Sequence, residues 1–125
     1  MNTPDNLKYT KDHEWIAIDG DVATVGITDF AQGELGDIVY VEVETVGETL
    51  DKDEVFGTVE AVKTVSDLYL PLSSEILEFN ESLEDEPEMV NEEPYENGWM
   101  IKMKIANQDE VNELMDAEAY KAHTE

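Results

Sequence analysis

Asp19-Gly20 separates two runs of strand-forming residues, Trp15-Ile16-Ala17-Ile18 and the stretch 21–27. An Asp-Gly pair tolerates the positive φ values of a type I′ turn, so the junction predicts a tight β-hairpin. Further runs rich in β-branched residues follow at 38–43, 55–61, 65–70, 74–79 and 99–105, several alternating with period two. Turn formers lie between them, including Gly47, Asp51 to Asp53, Pro71 and Asn97-Gly98. Short strands at this spacing predict a mainly β sandwich or flattened barrel.

Helical signals are few. Thr28 is placed to cap a short turn through Phe30 and Ala31, with Gly33 and Gly36 beyond it. The acidic stretch 81–91 contains Pro87 and reads as a loop with a short helix. In the tail, Val111, Leu114, Met115, Ala119 and Ala122 recur at three- and four-residue spacing, which predicts a helix over about 108–122 docked on the sheets. The expected organisation is one domain over 1–125, with a core at about 7–105.

Charge tests whether such a chain folds, because 32 acidic residues against seven lysines give a net charge of −25. Self-repulsion of that size opposes compaction. Leu, Ile, Val and Phe supply 31 of the 125 residues, above the share of about 20% below which chains stay disordered, so a folded domain with an acidic surface is expected. No basic stripe exists to neutralise phosphates, which argues against nucleic acid. No apolar run is long enough to span a membrane, and the opening residues 1–6 resemble no targeting peptide, so cytoplasmic residence is expected. The lack of cysteine excludes disulfides, thiolate metal sites and a cysteine nucleophile, and any thiol chemistry must come from a cofactor.

One stretch is more specific. Gly57-Thr58-Val59-Glu60-Ala61-Val62-Lys63-Thr64-Val65-Ser66-Asp67 places a single lysine between two strand runs. A hairpin there projects Lys63 into water on a flexible stem, within reach of another enzyme. By itself that pattern also describes an ordinary solubilising turn lysine.

The stretch resembles the modification site of the glycine cleavage system H proteins, which are lipoylated carriers. Further blocks resemble the same family in the same order: Lys11-Asp12-His13-Glu14-Trp15, Val25-Gly26-Ile27-Thr28-Asp29-Phe30-Ala31, Leu35-Gly36-Asp37-Ile38, Asn91-Glu92-Glu93-Pro94-Tyr95 and Gly98-Trp99-Met100-Ile101-Lys102. The resemblance implies a β-sandwich of the lipoyl/biotinyl type with short helices and a C-terminal helical extension. It implies lipoic acid in amide linkage on Lys63, with Glu60, Val62 and Thr64 forming the recognised surroundings. Biotin carriers usually flank their lysine with methionine, so Val62 and Thr64 favour lipoyl. It also implies that Glu14 and Asp67 line a cavity for the loaded arm. The implied partners are the P protein (glycine decarboxylase), the T protein (aminomethyltransferase), the L protein (dihydrolipoamide dehydrogenase) and a lipoyl-attaching enzyme, with the chain itself a non-catalytic carrier.

Departures from the family pattern are Asp12 where serine is common, Ser74 where glycine is common, and Glu96-Asn97 after Pro94-Tyr95. None touches Lys63. A relay of lipoyl or octanoyl groups, a lipoyl domain of a 2-oxoacid dehydrogenase complex, and an acidic binding module without a prosthetic group are the alternative readings. His13 and His123 lie at opposite ends of the sequence without metal or triad spacing, and His13 is expected to be a packed or hydrogen-bonded residue near Trp15. Asp51, Asp53 and the acidic run 84–93 lack an EF-hand pattern and read as a solvated face.

Overall fold

The hairpin predicted at Asp19-Gly20 forms one residue later in the computed structural model, which describes residues 3–124. Strands β2 (Glu14–Asp19) and β3 (Val22–Ile27) are antiparallel with Asp19 opposite Val22, so the loop is Gly20-Asp21. Gly20 has φ +67 and Asp21 has no positive φ. A positive φ at the first loop position alone is the type II′ pattern, which requires glycine there. The sequence placed glycine second, and the strand pairing moves it to first. With this register Ile16, Ala23, Val25 and Ile27 are buried.

Seven more strands complete two antiparallel sheets: β1 (Lys8–Tyr9), β4 (Ile38–Glu42), β5 (Thr49–Leu50), β6 (Val55–Ala61), β7 (Val65–Tyr69), β8 (Ser74–Phe79) and β9 (Ile101–Ile105). One sheet has the order β1-β2-β3-β9-β8-β5 and the other β4-β6-β7. Val25, Val41, Phe56, Val59, Leu68, Ile76, Ile101 and Met103 from both sheets belong to one buried cluster, the apolar layer that a sandwich needs. The two-residue strands β1 and β5 carry too little pattern to be read from sequence.

Helix α1 (Asp29–Leu35) begins as expected, with the Thr28 Oγ1 accepting the Ala31 N–H at 3.2 Å. The acidic stretch holds two single-turn helices, α2 (Ser82–Asp85) and α3 (Met89–Glu92), pinned by buried Leu83 and Val90. Among the described residues no helix is long and apolar enough to cross a membrane.

The tail corrects its expectation. In place of one helix over 108–122 there is a 3-10 turn (Gln108–Glu113), a backbone bridge at Met115, and helix α4 (Ala117–Thr124). Met115 exchanges two hydrogen bonds with Tyr9, at 2.8 and 2.9 Å, extending the larger sheet beyond β1. Those bonds satisfy backbone groups that a continuous helix would have paired internally. Val111, Leu114 and Met115 are half-buried, whereas Ala119 and Ala122 face solvent. The buried face of α4 is Ala117 and Tyr120, and the Tyr120 ring stacks on Tyr9 at 4.7 Å.

Candidate functional site

Strands β6 and β7 form the hairpin that carries Lys63. Val59 lies opposite Ser66 and Glu60 opposite Val65, and the Ala61 N–H donates to the Thr64 carbonyl at 2.7 Å. Val62 and Lys63 therefore occupy the tip. Neither has a positive φ, so the turn needs no glycine, and the β-branched Val62 and Thr64 stiffen it. Val62 is 71% exposed and Val65 59%, and Lys63 and Thr64 are exposed as well. No hydrophobic burial fixes this tip. Its outside contact is a hydrogen bond from the Val62 N–H to the Asp37 carbonyl at 3.1 Å. The ion pair found among the described residues joins Lys52 to Glu113 at 3.2 Å, leaving the Lys63 ammonium without a carboxylate within that range. Glu60 is exposed on β6, between Tyr40 of β4 and Val65 of β7.

Glu14 opens β2 after a three-residue loop, Lys11-Asp12-His13. The His13 N–H donates to the Thr10 carbonyl at 3.1 Å and the Thr10 N–H to the Glu14 carbonyl at 3.0 Å, with His13 at φ +67. A type I turn closed by one left-handed residue is a common three-residue hairpin, and histidine tolerates that conformation better than bulkier side chains. The loop brings Thr10 back over Glu14, which is only 2% exposed. Glu14 Oε1 accepts from the Thr10 hydroxyl at 3.3 Å, and the Tyr69 backbone N–H also donates to the carboxylate. Burial, reinforced by the nearby Asp12 charge, pushes the Glu14 carboxyl well above its ordinary value despite these two donors.

Glu14 lines a cavity of about 280 Å³ whose walls include Tyr9, Thr10, Asp53, Pro71 and Met115. The Lys52–Glu113 ion pair is part of the same lining. Asp67 is not. It lies exposed on β7 opposite Thr58, two residues before Tyr69. The fold thus joins Glu14 to β7 through the Tyr69 backbone and leaves Asp67 on the surface between that contact and the lysine turn. Sequence reasoning missed most of the cavity wall, because Met115 meets Tyr9 only through the long-range bridge.

His13 is packed and hydrogen-bonded as expected, with partners that the sequence did not indicate. His13 and His123, far apart in sequence, have ring centroids 5.7 Å apart, and His13 packs on Phe30 at 4.7 Å instead of against Trp15. His13 Nδ1 is 2.8 Å from the Tyr120 hydroxyl, which is 2.7 Å from the Thr28 hydroxyl. This chain of hydrogen bonds ties α4 to the hairpin loop and to the cap of α1. Burial, then the His123 charge, lowers the His13 pKa.

Residues 7–125 match the family model described as Glycine cleavage H-protein. The chain is 63% identical over 122 residues to the glycine cleavage system H protein of Bacteroides thetaiotaomicron, covering 98% of this chain and 97% of that one. It is 59% identical over 120 residues to the corresponding protein of Salinibacter ruber, covering 96% and 97%. The crystal structure of a glycine cleavage system H protein from Mycobacterium marinum superimposes with a TM-score of 0.88 at 40% identity, covering 97% of this chain and 98% of that one.

Proposed function

The chain belongs to the glycine cleavage H-protein family, and on that premise we propose that it is the lipoylated carrier of glycine cleavage, with lipoic acid attached at Lys63. The observation that carries this reading is the presentation of Lys63: a stiff, exposed turn, no ion pair to the ammonium among the described residues, and Glu60, Val62 and Thr64 displayed around it. An amine so placed suits acylation by another enzyme. Bound there, lipoic acid supplies a disulfide able to take up the aminomethyl group of glycine with two electrons.

The chain's residues present, shelter and dock. Lys63 provides reach between the P protein, the T protein and the L protein, and a lipoyl-attaching enzyme is its fourth partner. Glu14 acts in the cavity. Burial biases its carboxyl toward the protonated form, and an amine brought into the cavity would take up that proton and pair as ammonium with the carboxylate. An ammonium has no lone pair with which to expel a neighbouring thiolate, so the transfer protects the cargo from hydrolysis. Asp67, on the strand leading from the turn, offers a second carboxylate that water screens more strongly.

A reconstituted reaction tests the role. Carbon dioxide release from glycine by the P protein should require the lipoylated chain and fail with Lys63→Arg, since arginine keeps the charge but lacks an acylable amine. A lipoylated chain that passes lipoyl groups to other domains yet supports no glycine decarboxylation would contradict the proposal.

A further inference from the structure

Asn91, on α3, makes three side-chain hydrogen bonds, to α1 and to the segment that leads from it into β4. Its Oδ1 accepts the Ile38 N–H at 2.9 Å, and its Nδ2 donates to the Gly36 carbonyl at 2.8 Å and to Gln32 Oε1 at 3.0 Å. Gln32 is itself held, its Nε2 donating to Asp29 Oδ1 at 2.7 Å. Between the two clamped peptide units sits Asp37, whose carbonyl accepts the Val62 N–H. Asp37 and Val62 are both exposed, so hydrogen bonds do what burial does elsewhere in the fold. The β4–β6 ladder holds one side of this contact, where buried Ile38 pairs with buried Ala61, but its register breaks before Tyr40, and the Asp37 carbonyl stands beyond that pair at the exposed end.

We propose that Asn91 is a positioning residue for the modification of Lys63: by clamping Gly36 and Ile38 it sets the Asp37 carbonyl, which holds Val62 and so orients the lysine turn for the lipoyl-attaching enzyme. The proposal rests on Lys63 being the attachment site. A turn ordered in advance spares the enzyme the entropy of ordering it at docking. Loss of the clamp therefore raises KM for the carrier while leaving kcat near its wild-type value.

The test uses the unmodified full chain as wild type, Asn91→Ala, Asn91→Asp and Asn97→Ala. Asn91→Asp keeps the acceptor for Ile38 and loses both donors, a milder change should the alanine variant fold poorly. Asn97 donates to Glu93 in the same segment and reaches none of the residues 36–38, so its variant controls for general loosening. Amide hydrogen exchange at Val62 should quicken about tenfold in both Asn91 variants while the amides of β3 and β9 are unchanged. With a lipoyl-attaching enzyme, lipoate and ATP, KM should rise about fivefold, and Asn97→Ala should match wild type in both measurements. Unchanged Val62 exchange in a folded Asn91 variant overturns the proposal, as does faster exchange with an unchanged KM. Lipoyl found on another lysine of the wild type overturns the reading beneath it, and is told apart because the exchange measurement uses no lipoate.

Discussion

Glu14 loses nearly all contact with water and gains two donors, fewer than the four acceptor positions of a carboxylate. The folded state therefore holds this proton more tightly than the unfolded chain does. Its contribution to stability is complete below the unfolded value of about 4.5 and is lost as pH rises through the raised folded value. Glu14→Gln keeps the shape without the charge, so its melting temperature should exceed that of wild type by a margin that grows from pH 5 to pH 8, by about 4 °C or more at the upper end. His13 works in the opposite direction, since its lowered value makes stability fall as pH drops below about 6.5. A Glu14→Gln margin that does not change with pH would refute the assigned proton. The same carboxyl carries a functional prediction: Glu14→Ala should leave lipoylation intact but speed formaldehyde loss from chain charged by the P protein, and Asp67→Asn should do so more weakly. Equal loss from wild type and both variants, followed without T protein, would make both residues bystanders. The identity of Glu14 as a candidate came from its resemblance to a family block. Its burial could not be read, because it depends on Thr10 folding back and on Tyr69 arriving from a distant strand.

At the scale of elements, the runs at 38–43, 55–61, 65–70 and 74–79 become strands with ends within one residue of those expected, since alternation and β-branching are local properties. What local pattern could not supply was partner and register. The Gly20 turn shifted by one position because the pairing of β2 with β3 decides which residues form the loop. The tail broke into two pieces because Tyr9, more than a hundred residues earlier, offered Met115 a backbone partner. Gly98 teaches the same lesson: it reads as a turn glycine after Asn97, yet its φ is not positive. A Cβ there would lie 2.7 Å from both the Glu93 and Met89 carbonyl oxygens, so the residue is needed for space. Gly98→Ala should cost about 2 kcal/mol or more, read as a lower urea midpoint. Tyr120→Phe should cost about 1–3 kcal/mol, because His13 and Thr28 both lose their shared partner. Near-wild-type midpoints would contradict these packing arguments.

For the molecule as a whole, a charge of −25 sits on a fold with little internal neutralisation. Salt should then act with opposite signs on two properties. Screening relieves self-repulsion, so the melting temperature should rise from low salt to 0.5 M. An encounter steered by this acidic surface weakens under the same screening, so kcat/KM for the carrier with the P protein should fall about tenfold over a range in which the Debye length shrinks from about 30 Å to about 4 Å. Rates indifferent to salt would leave the acidity without a part in docking. The lysine turn was the most legible feature of the site, because a hairpin tip is a local structure and its residues are contiguous. The cavity was the least legible, being assembled from the hairpin loop, the approach to β6 and the tail. The carrier role depends on Lys63 as the point of attachment. Co-expression with a lipoyl-attaching enzyme, followed by intact mass and peptide mapping, tests that directly. The account predicts a single added lipoyl group, on Lys63, and none on Lys63→Arg; a lipoyl group on Lys52 or Lys102, or persistence of the added mass in Lys63→Arg, would contradict it.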